Sequence, residues 1–423
     1  MRGGAVLLML LGLLAPALPG QGDGDAVFTL TQFNTLHLVA MTPQGVGTTF
    51  VTFGINYHPD GVAIAPDNDG VLAIMMPGKT ATLSVLHIQS WASVATLVTL
   101  PGSITHVPTM LVDTGGDVLI LSGAGRDAGI FRMPGGGGPL TTVAHNQVNA
   151  GFTSPFAMEE ELVSGDLIVL DYVPLLHRVP RAGRVTTVAF TPPPAAAVNP
   201  TANLHRHPGT RLMHFTYANF VMALDPVFGT TGTIFAPSTN KWKSYYGLDY
   251  DPHADSYYIN YFQASPLPTG RFLARFDPMG RTLTTIAPLG AGSVNEVVTW
   301  SSRHLHGKNR PIWGQPYRMG LSIPSEANRG YLVGAAMGFQ RGIQIAPGRR
   351  VHLDADSLFY LSLQAPSVFA GFQGVLDKAG RADPIINIPT LPNLQGFRFF
   401  LAAVTYDASG IRVITEPFGV TIE

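Results

Sequence analysis

An internal repeat constrains this chain more than any other feature of its sequence. One unit consists of a strand, a turn and a second strand with the pattern apolar-Thr-Thr-apolar. Its copies recur every 45 to 52 residues, at 38–51, 85–98, 130–143, 176–188, 221–234 and 273–286. The regular spacing indicates one structural element repeated six times, and not a single irregular core.

A second unit falls between these copies and doubles the number of strands in each period. It is a short apolar strand, a turn rich in Asp, Pro and Gly, and another apolar strand, as at 61–74 and 247–259. Four strands in 40 to 50 residues are typical of one β-propeller blade. The alternative is a flat stack of hairpins or a β-helix.

The two ends of the repeat region complement each other. Segment 39–53 has no inner strand before it, and segment 297–300 has no outer pair after it. Joining them completes a sixth blade, which removes free sheet edges. We therefore expect an all-β chain with a six-bladed β-propeller over residues 26–312.

The repeat pattern resembles bacterial propellers of the gluconolactonase, NHL and virginiamycin B lyase type, over about 280 residues. This resemblance implies the fold but no single activity, because such propellers include hydrolases, lyases and pure binding scaffolds. In the enzymes of this type, a metal at the channel mouth stabilises an enolate or polarises a lactone carbonyl.

A different pattern follows the repeat. Residues 317–423 contain about seven short strands separated by turns, one of them expected at 356–361, and this predicts a small β-sandwich. The hairpin at 371–382 and the strand ends at 387–389 and 420–422 resemble the small domain that ends many secreted proteins of planctomycete-type bacteria. The resemblance implies an extracytoplasmic accessory domain and carries no catalytic residues.

The amino terminus has the features of an export signal. Arg2 precedes an apolar run at 5–14, and Ala15-Pro16-Ala17 is an A-x-A cleavage pattern. The run is about half as long as a spanning helix requires. We predict a signal peptide over residues 1–22, no transmembrane segment in the mature chain, and a location outside the cell or in the envelope, in the periplasm or at the cell surface.

Composition excludes several kinds of chemistry. The chain has 26 basic and 27 acidic residues without a basic run, which argues against nucleic acid as a partner. It has no cysteine, so disulfides, thiolate nucleophiles and Cys-ligated zinc are excluded. The partner classes left open are a protein, a carbohydrate and a small molecule.

The inner strands offer a first candidate site. Aligned on their turns, they place Ala63, Leu111, Glu159, His205, Asp249 and Thr299 at equivalent positions. Three adjacent blades would then direct Glu159, His205 and Asp249 to one channel, where they could bind Ca²⁺ or Mg²⁺ or act as a general acid and base. The competing interpretation is a set of solvated channel residues, and a slip of one residue would turn all three away.

The loops before the inner strands offer a second candidate site, where aromatic and polar side chains would suit a carbohydrate or simply pack the rim. Its members are Tyr57, His58, His106, Trp242, Tyr245, Tyr246, Asn295 and Glu296. A further pair, His304 and His306, is interpreted as a solvated turn in preference to a chelating pair.

No nucleophile elbow, HExxH motif or phosphate-binding loop occurs in the chain. The leading hypothesis is a non-catalytic scaffold that binds a ligand or protein at the cell envelope. The alternative is a metal-dependent, lactonase-like hydrolase or lyase, and whether the chain is an enzyme stays open at this point.

Overall fold

A computed structural model describes residues 26–423 with short gaps, and the predicted signal peptide lies outside this range. The gaps are 33–34, 43, 54–58, 66–70, 76–81, 91–92, 124, 147–150, 173, 182–183, 191–199, 208–209, 211, 218–219, 236–242, 252–255, 265–268, 291–292, 300–303 and 347–348.

The first 24 strands form six four-stranded antiparallel sheets. In chain order they are β1 (Ala26–Gln32), β2 (Thr35–Met41), β3 (Gly47–Phe53), β4 (Pro59–Ile64), β5 (Val71–Met75), β6 (Ser84–Ser90), β7 (Ser93–Thr99), β8 (Thr109–Val112), β9 (Val118–Ser122), β10 (Gly129–Met133), β11 (Thr141–His145), β12 (Pro155–Glu160), β13 (Leu167–Asp171), β14 (Leu175–Val179), β15 (Thr186–Ala189), β16 (Pro200–Arg206), β17 (Met213–Tyr217), β18 (Phe220–Leu224), β19 (Thr231–Phe235), β20 (Lys243–Asp251), β21 (Ser256–Gln263), β22 (Gly270–Asp277), β23 (Thr282–Gly290) and β24 (Ser293–Thr299).

Five sheets are continuous in sequence and the sixth is shared between the two ends of the repeat region. Blades 1 to 5 consist of β4–β7, β8–β11, β12–β15, β16–β19 and β20–β23, and blade 6 has the order β24-β1-β2-β3. In blade 6, Ala26 lies opposite Thr299 and Val27 opposite Val298. Each inner strand contacts the next one, and β24 contacts β4. The ring is therefore closed, as predicted, and the chain contains a six-bladed β-propeller.

Apolar clusters between neighbouring blades hold the ring together. Successive side chains of a strand point to opposite faces of its sheet, so Val62 and Ile64 pack toward blade 6 while Ala63 packs toward blade 2. Between blades 4 and 5 the cluster is aromatic and includes the fully buried Tyr250 and Tyr257. Burying one such large side chain contributes about 1.5–3 kcal/mol, and many of them replace the stabilisation that disulfides would supply.

The remaining strands form the C-terminal module, defined here as residues 304–423. Its strands are β25 (Leu305–Gly307), β26 (Pro316–Ser322), β27 (Gly330–Ala336), β28 (Ile343–Ala346), β29 (Arg349–Val351), β30 (Phe369–Ala370), β31 (Gln373–Val375), β32 (Arg381–Ala382), β33 (Ile385–Asn387), β34 (Arg398–Asp407), β35 (Gly410–Ile414) and β36 (Phe418–Thr421).

Two five-stranded antiparallel sheets of the module share one hydrophobic core. One sheet contains β25, β26, β30, β32 and β33, and the other contains β27, β31, β34, β35 and β36, while β28 and β29 form a separate hairpin. Tyr317 and Met319 of the first sheet lie in the same buried cluster as Val333 and Leu401 of the second. Strand β25 pairs with β26 in the first sheet, although its residues fall within the range 26–312 that the sequence predicts for the propeller.

Two local expectations are wrong in the module. The strand expected at 356–361 is an α-helix, α1 (Ser357–Gln364), because the Asp356 side chain caps it by accepting a hydrogen bond from the Phe359 N–H at 3.0 Å. His304 and His306 are buried and not part of a solvated turn, since β25 pairs with β26.

Short 3-10 helices span Gly125–Asp127, Pro324–Glu326 and Pro392–Leu394. No helix within the described ranges is long and apolar enough to cross a membrane.

Candidate functional site at the module face of the propeller

The two ends of the propeller differ in what covers them. We call the end where the inner strands begin the loop face, and the end where they finish the module face. At the module face, the Tyr317 hydroxyl donates to the Thr114 carbonyl at 2.9 Å, and the Arg398 Nε donates to the Leu162 carbonyl at 2.9 Å. Thr114 and Leu162 follow the inner strands of blades 2 and 3, so the module docks on this face.

The structure brings together the three side chains that the strand alignment selects. The Nδ1 atom of His205 lies 3.0 Å from Oδ1 of Asp249 and 3.6 Å from Oε2 of Glu159. His205 also stacks on Tyr250 of blade 5, with ring centroids 5.8 Å apart. Glu159 and His205 therefore face the following blade, as Ala63 and Leu111 do through apolar contacts in blades 1 and 2, while Asp249 contacts His205 of the preceding blade.

Two further residues complete this group, and we call the five together the charge cluster. Oε1 of Glu416 lies 3.4 Å from Nε2 of His205, and its Oε2 lies 3.8 Å from Nη2 of Arg206. Nη1 of Arg206 lies 3.5 Å from Oε1 of Glu159. Glu416 comes from the loop between β35 and β36 of the module, so no repeat pattern in the propeller could indicate it. Arg206 directly follows His205 in the sequence, but only the structure shows that its side chain belongs to the charge cluster.

Burial and charge act against each other on His205. Burial by itself lowers the pKa of His205, but the hydrogen bonds and charges of Asp249 and Glu416 outweigh it and raise this pKa to about 10. Burial likewise lowers the pKa of Arg206, but the charges of Glu159 and Glu416 outweigh this effect, so the pKa of Arg206 is raised overall. Two cations thus face three carboxylates. Burial, followed by the nearby His207 and His205, lowers the pKa of His214 well below its usual value, so that His214 stays neutral.

This arrangement limits what the charge cluster can do. Both ring nitrogens of His205 face carboxylate oxygens, so its hydrogen-bonding positions are directed at partners within the cluster. Among the described residues, no group of three or more His, Asp or Glu side chains is arranged to hold a metal ion. The cluster joins the propeller to the module through ion pairs, and Ca²⁺ or Mg²⁺ binding at Glu159, His205 and Asp249 stays a hypothesis.

A second set of ion pairs, some buried and some partly exposed, lies beside the charge cluster. Arg398 of β34 is the centre of this contact, with Nη2 3.2 Å from Oε1 of Glu160 and Nη1 donating to Thr421 Oγ1 at 2.7 Å. Arg181 of blade 3 lies 3.4 Å from Glu160 and 3.5 Å from the Glu423 side chain. Because guanidinium groups bind several acceptors in fixed directions, these contacts fix the orientation of the module on blade 3.

The loop-face residues divide into three groups. His106 is exposed, as a binding residue must be. Tyr245 is fully buried against Phe235 and Tyr261, with ring centroids 6.2 and 6.1 Å away, so it cannot stack on a sugar, and the rim-packing interpretation is correct for it. The remaining members lie outside the described residues (Tyr57, His58 and Trp242) or on described strands without described side chains (Tyr246, Asn295 and Glu296).

Comparison with known proteins finds solved structures at low similarity. No family model and no curated protein matches the chain. Among solved structures, apo AztD from Citrobacter koseri is 10% identical with a TM-score of 0.39, and the match covers 65% of this chain and 98% of that one. A gluconolactonase from Xanthomonas campestris is 10% identical with a TM-score of 0.40, over 57% of this chain and 84% of that one. The extracellular domain of a one component system from B. thetaiotaomicron is 11% identical with a TM-score of 0.36, over 96% of this chain and 58% of that one. Similarity at this level carries no argument about activity.

Proposed function

We propose that this chain is a secreted, non-catalytic binding scaffold of the cell envelope, which binds its ligand or protein partner at the loop face. One observation supports this most directly. Glu416 of the module contacts His205 and Arg206 at the other end of the propeller, so the side chains best suited to chemistry are already partnered inside the chain.

The metal-dependent hydrolase or lyase is the weaker hypothesis for a physical reason. A general base needs a lone pair within reach of the proton that it removes, and a metal needs several ligands converging on one point. In the charge cluster, the carboxylates of Glu159 and Asp249 converge on the imidazole of His205, which occupies the centre of the group.

Export is part of the proposal and rests on the sequence of residues 1–22. Its test is the amino terminus of the full chain produced with its own leader in a bacterial host. Mass spectrometry of the protein from the periplasm or medium should show cleavage after a residue in the range 17–22. A chain that keeps Met1 and stays inside the cell would contradict export.

The test of a scaffold against an enzyme is the metal content of the exported full-length chain. After incubation with Ca²⁺ and Mg²⁺ and removal of free ions, elemental analysis should find far less than one ion per chain. A panel of sugar lactones should not be hydrolysed faster than in buffer. One bound ion per chain that disappears in the Glu159→Ala/Asp249→Ala double variant would establish the enzyme hypothesis instead. Circular dichroism of the double variant controls for loss of fold.

A further inference from the structure

A cavity of about 620 Å³ lies at the junction of blade 1, blade 2 and the C-terminal module. Blade 1 contributes His87 and Leu97, blade 2 contributes Asp117 and Gly136, and the module contributes Lys308. Its volume falls within the usual range of small-molecule sites, which often lie at domain interfaces. This cavity is separate from both the charge cluster and the loop face.

Contact between two backbones fixes one wall of the cavity. Gly116 of blade 2 has a φ of +81°, and a Cβ there would lie 2.5 Å from the carbonyl oxygen of Gly307 in the module. Both glycines line the cavity. At this point the propeller and the module approach so closely that a side chain on Gly116 would not fit. Docking of the module therefore shapes the cavity, and the cavity exists before any ligand binds.

The charged groups of the cavity already have partners. Asp117 lies 3.8 Å from Arg310 and 3.9 Å from Arg132, and Lys308 lies 2.6 Å from Asp383. An ionic ligand would have to break one of these ion pairs. A carboxylate nevertheless has about four acceptor positions and an ammonium three donors, so both keep hydrogen-bonding capacity beyond their ion pairs.

The cavity wall also has an apolar part, beside its polar groups. Leu97 is partly buried and packs on the cluster between blades 1 and 2, and it lines the cavity beside the polar groups. A neutral polyhydroxylated ring has hydroxyl groups that both donate and accept, together with C–H faces that pack on aliphatic carbon. We propose that the cavity is a binding site for a neutral sugar residue, either a free small sugar or a unit of a longer glycan.

The test uses a variant that fills the cavity without disturbing the fold. Gly136 lines the cavity, its φ is outside the left-handed region, and a Cβ there meets nothing within 4 Å. Gly136→Phe should therefore fold normally and block the site. Gly232→Phe is the matched control, because Gly232 of blade 4 also has open space around it and a permitted φ.

Isothermal titration of the full-length chain with glucose, galactose, mannose, N-acetylglucosamine, maltose and cellobiose should identify at least one that binds in a 1:1 ratio. Gly136→Phe should abolish this binding, Asp117→Ala should weaken it about tenfold through the lost hydrogen bonds, and Gly232→Phe should leave it unchanged. A second arm uses soluble glucans and mannans. Tighter binding of the polymer than of the free sugar would identify a glycan chain as the source.

Three results would overturn the inference. The first is that none of these sugars or polymers binds, and the second is that Gly136→Phe binds as the native chain does. The third is that glutamate or lysine, used as ionic probes, binds at the cavity instead. Sugar binding that is lost in His106→Ala and kept in Gly136→Phe would move the sugar to the loop face, which overturns the cavity site and supports the proposed scaffold.

Discussion

The carboxylate of Glu416 lies 3.4 Å from Nε2 of His205, although the two residues are 211 positions apart in the chain. Glu416 belongs to the short segment between β35 and β36, and all three residues of that segment are buried. Loop tips usually lie on the surface, because buried backbone needs hydrogen-bond partners. The segment between β35 and β36 is buried instead, and its Glu416 contacts propeller residues, so the module packs tightly on this end of the propeller.

Removing this carboxylate should destabilise the whole chain. Glu416→Ala removes one carboxylate partner from both His205 and Arg206, in a buried setting where a broken ion pair is costly. We expect the free energy of unfolding in urea to fall by about 3 kcal/mol. Asp383→Ala is the control, because the Asp383–Lys308 pair is exposed and its loss should cost less than about 1 kcal/mol. Equal losses in the two variants would contradict a special role for Glu416.

The charge cluster should make the free energy of unfolding decrease as the pH rises above neutrality. The pKa of His205 rises from an ordinary 6.5 to about 10 in the folded chain, so the folded state binds a proton that the unfolded state releases. This contribution is complete below pH 6.5 and is lost as the pH rises to about 10, with a slope of up to about 1.4 kcal/mol per pH unit.

The measurement for this prediction is the urea unfolding midpoint across that pH range, for the native chain and for His205→Gln. The variant should be less stable at pH 6.5 and should lose less stability toward pH 10. Because Lys and Tyr residues titrate in both proteins, the difference between the two curves is the relevant quantity. Two parallel curves would show that His205 does not hold its proton in the folded state.

Arg398 should not tolerate replacement by lysine. Its guanidinium reaches Leu162, Glu160 and Thr421 at the same time, and a single ammonium cannot match that geometry. We expect Arg398→Lys to cost about 2 kcal/mol in thermal or urea unfolding. Arg412→Lys, at a side chain that is 41% exposed, should have little effect. If both variants unfold alike, the directional contacts of Arg398 are not important for docking.

Tyr245 should behave as a core residue and not as a binding residue. Its side chain is fully buried between Phe235 and Tyr261, so Tyr245→Ala should leave a cavity and cost about 3–5 kcal/mol. Tyr360→Ala, at an exposed tyrosine of α1, should change stability by less than about 1 kcal/mol. A stable Tyr245→Ala variant would reopen the hypothesis that Tyr245 faces a ligand.

The repeat predicted most of the propeller because each blade repeats the same local chemistry. The spacing of the Thr-Thr strands located β3, β11, β15 and β23, and the unmatched ends predicted that β24 joins the first strands. Aligning the inner strands on their turns was enough near their ends, although each of the three strands has a register shift closer to its beginning. The alignment expected Glu159, His205 and Asp249 to come from adjacent blades to one place, and the structure has Nδ1 of His205 3.6 Å from Glu159 and 3.0 Å from Asp249.

Other features of the structure could not be predicted, because they depend on contacts without a local pattern. Leu358 and Phe359 follow one another as they would in a buried strand, and only the cap by Asp356 distinguishes the helix. The pattern at Tyr245 suggested a rim aromatic, and nothing local in the sequence indicates the register shift between Tyr246 and Leu248, where Gly247 has a φ of +50°.

The sequence alone determined an all-β repeat and predicted a propeller closed by its own ends, because each repeated sheet can bury its apolar faces against neighbouring copies. Only the tertiary structure decided the meaning of the polar residues at the end of the inner strands. Whether a buried carboxylate and imidazole meet a metal, water or another part of the chain depends on what lies opposite them, and here Glu416 comes from the C-terminal module, which does not share the propeller repeat.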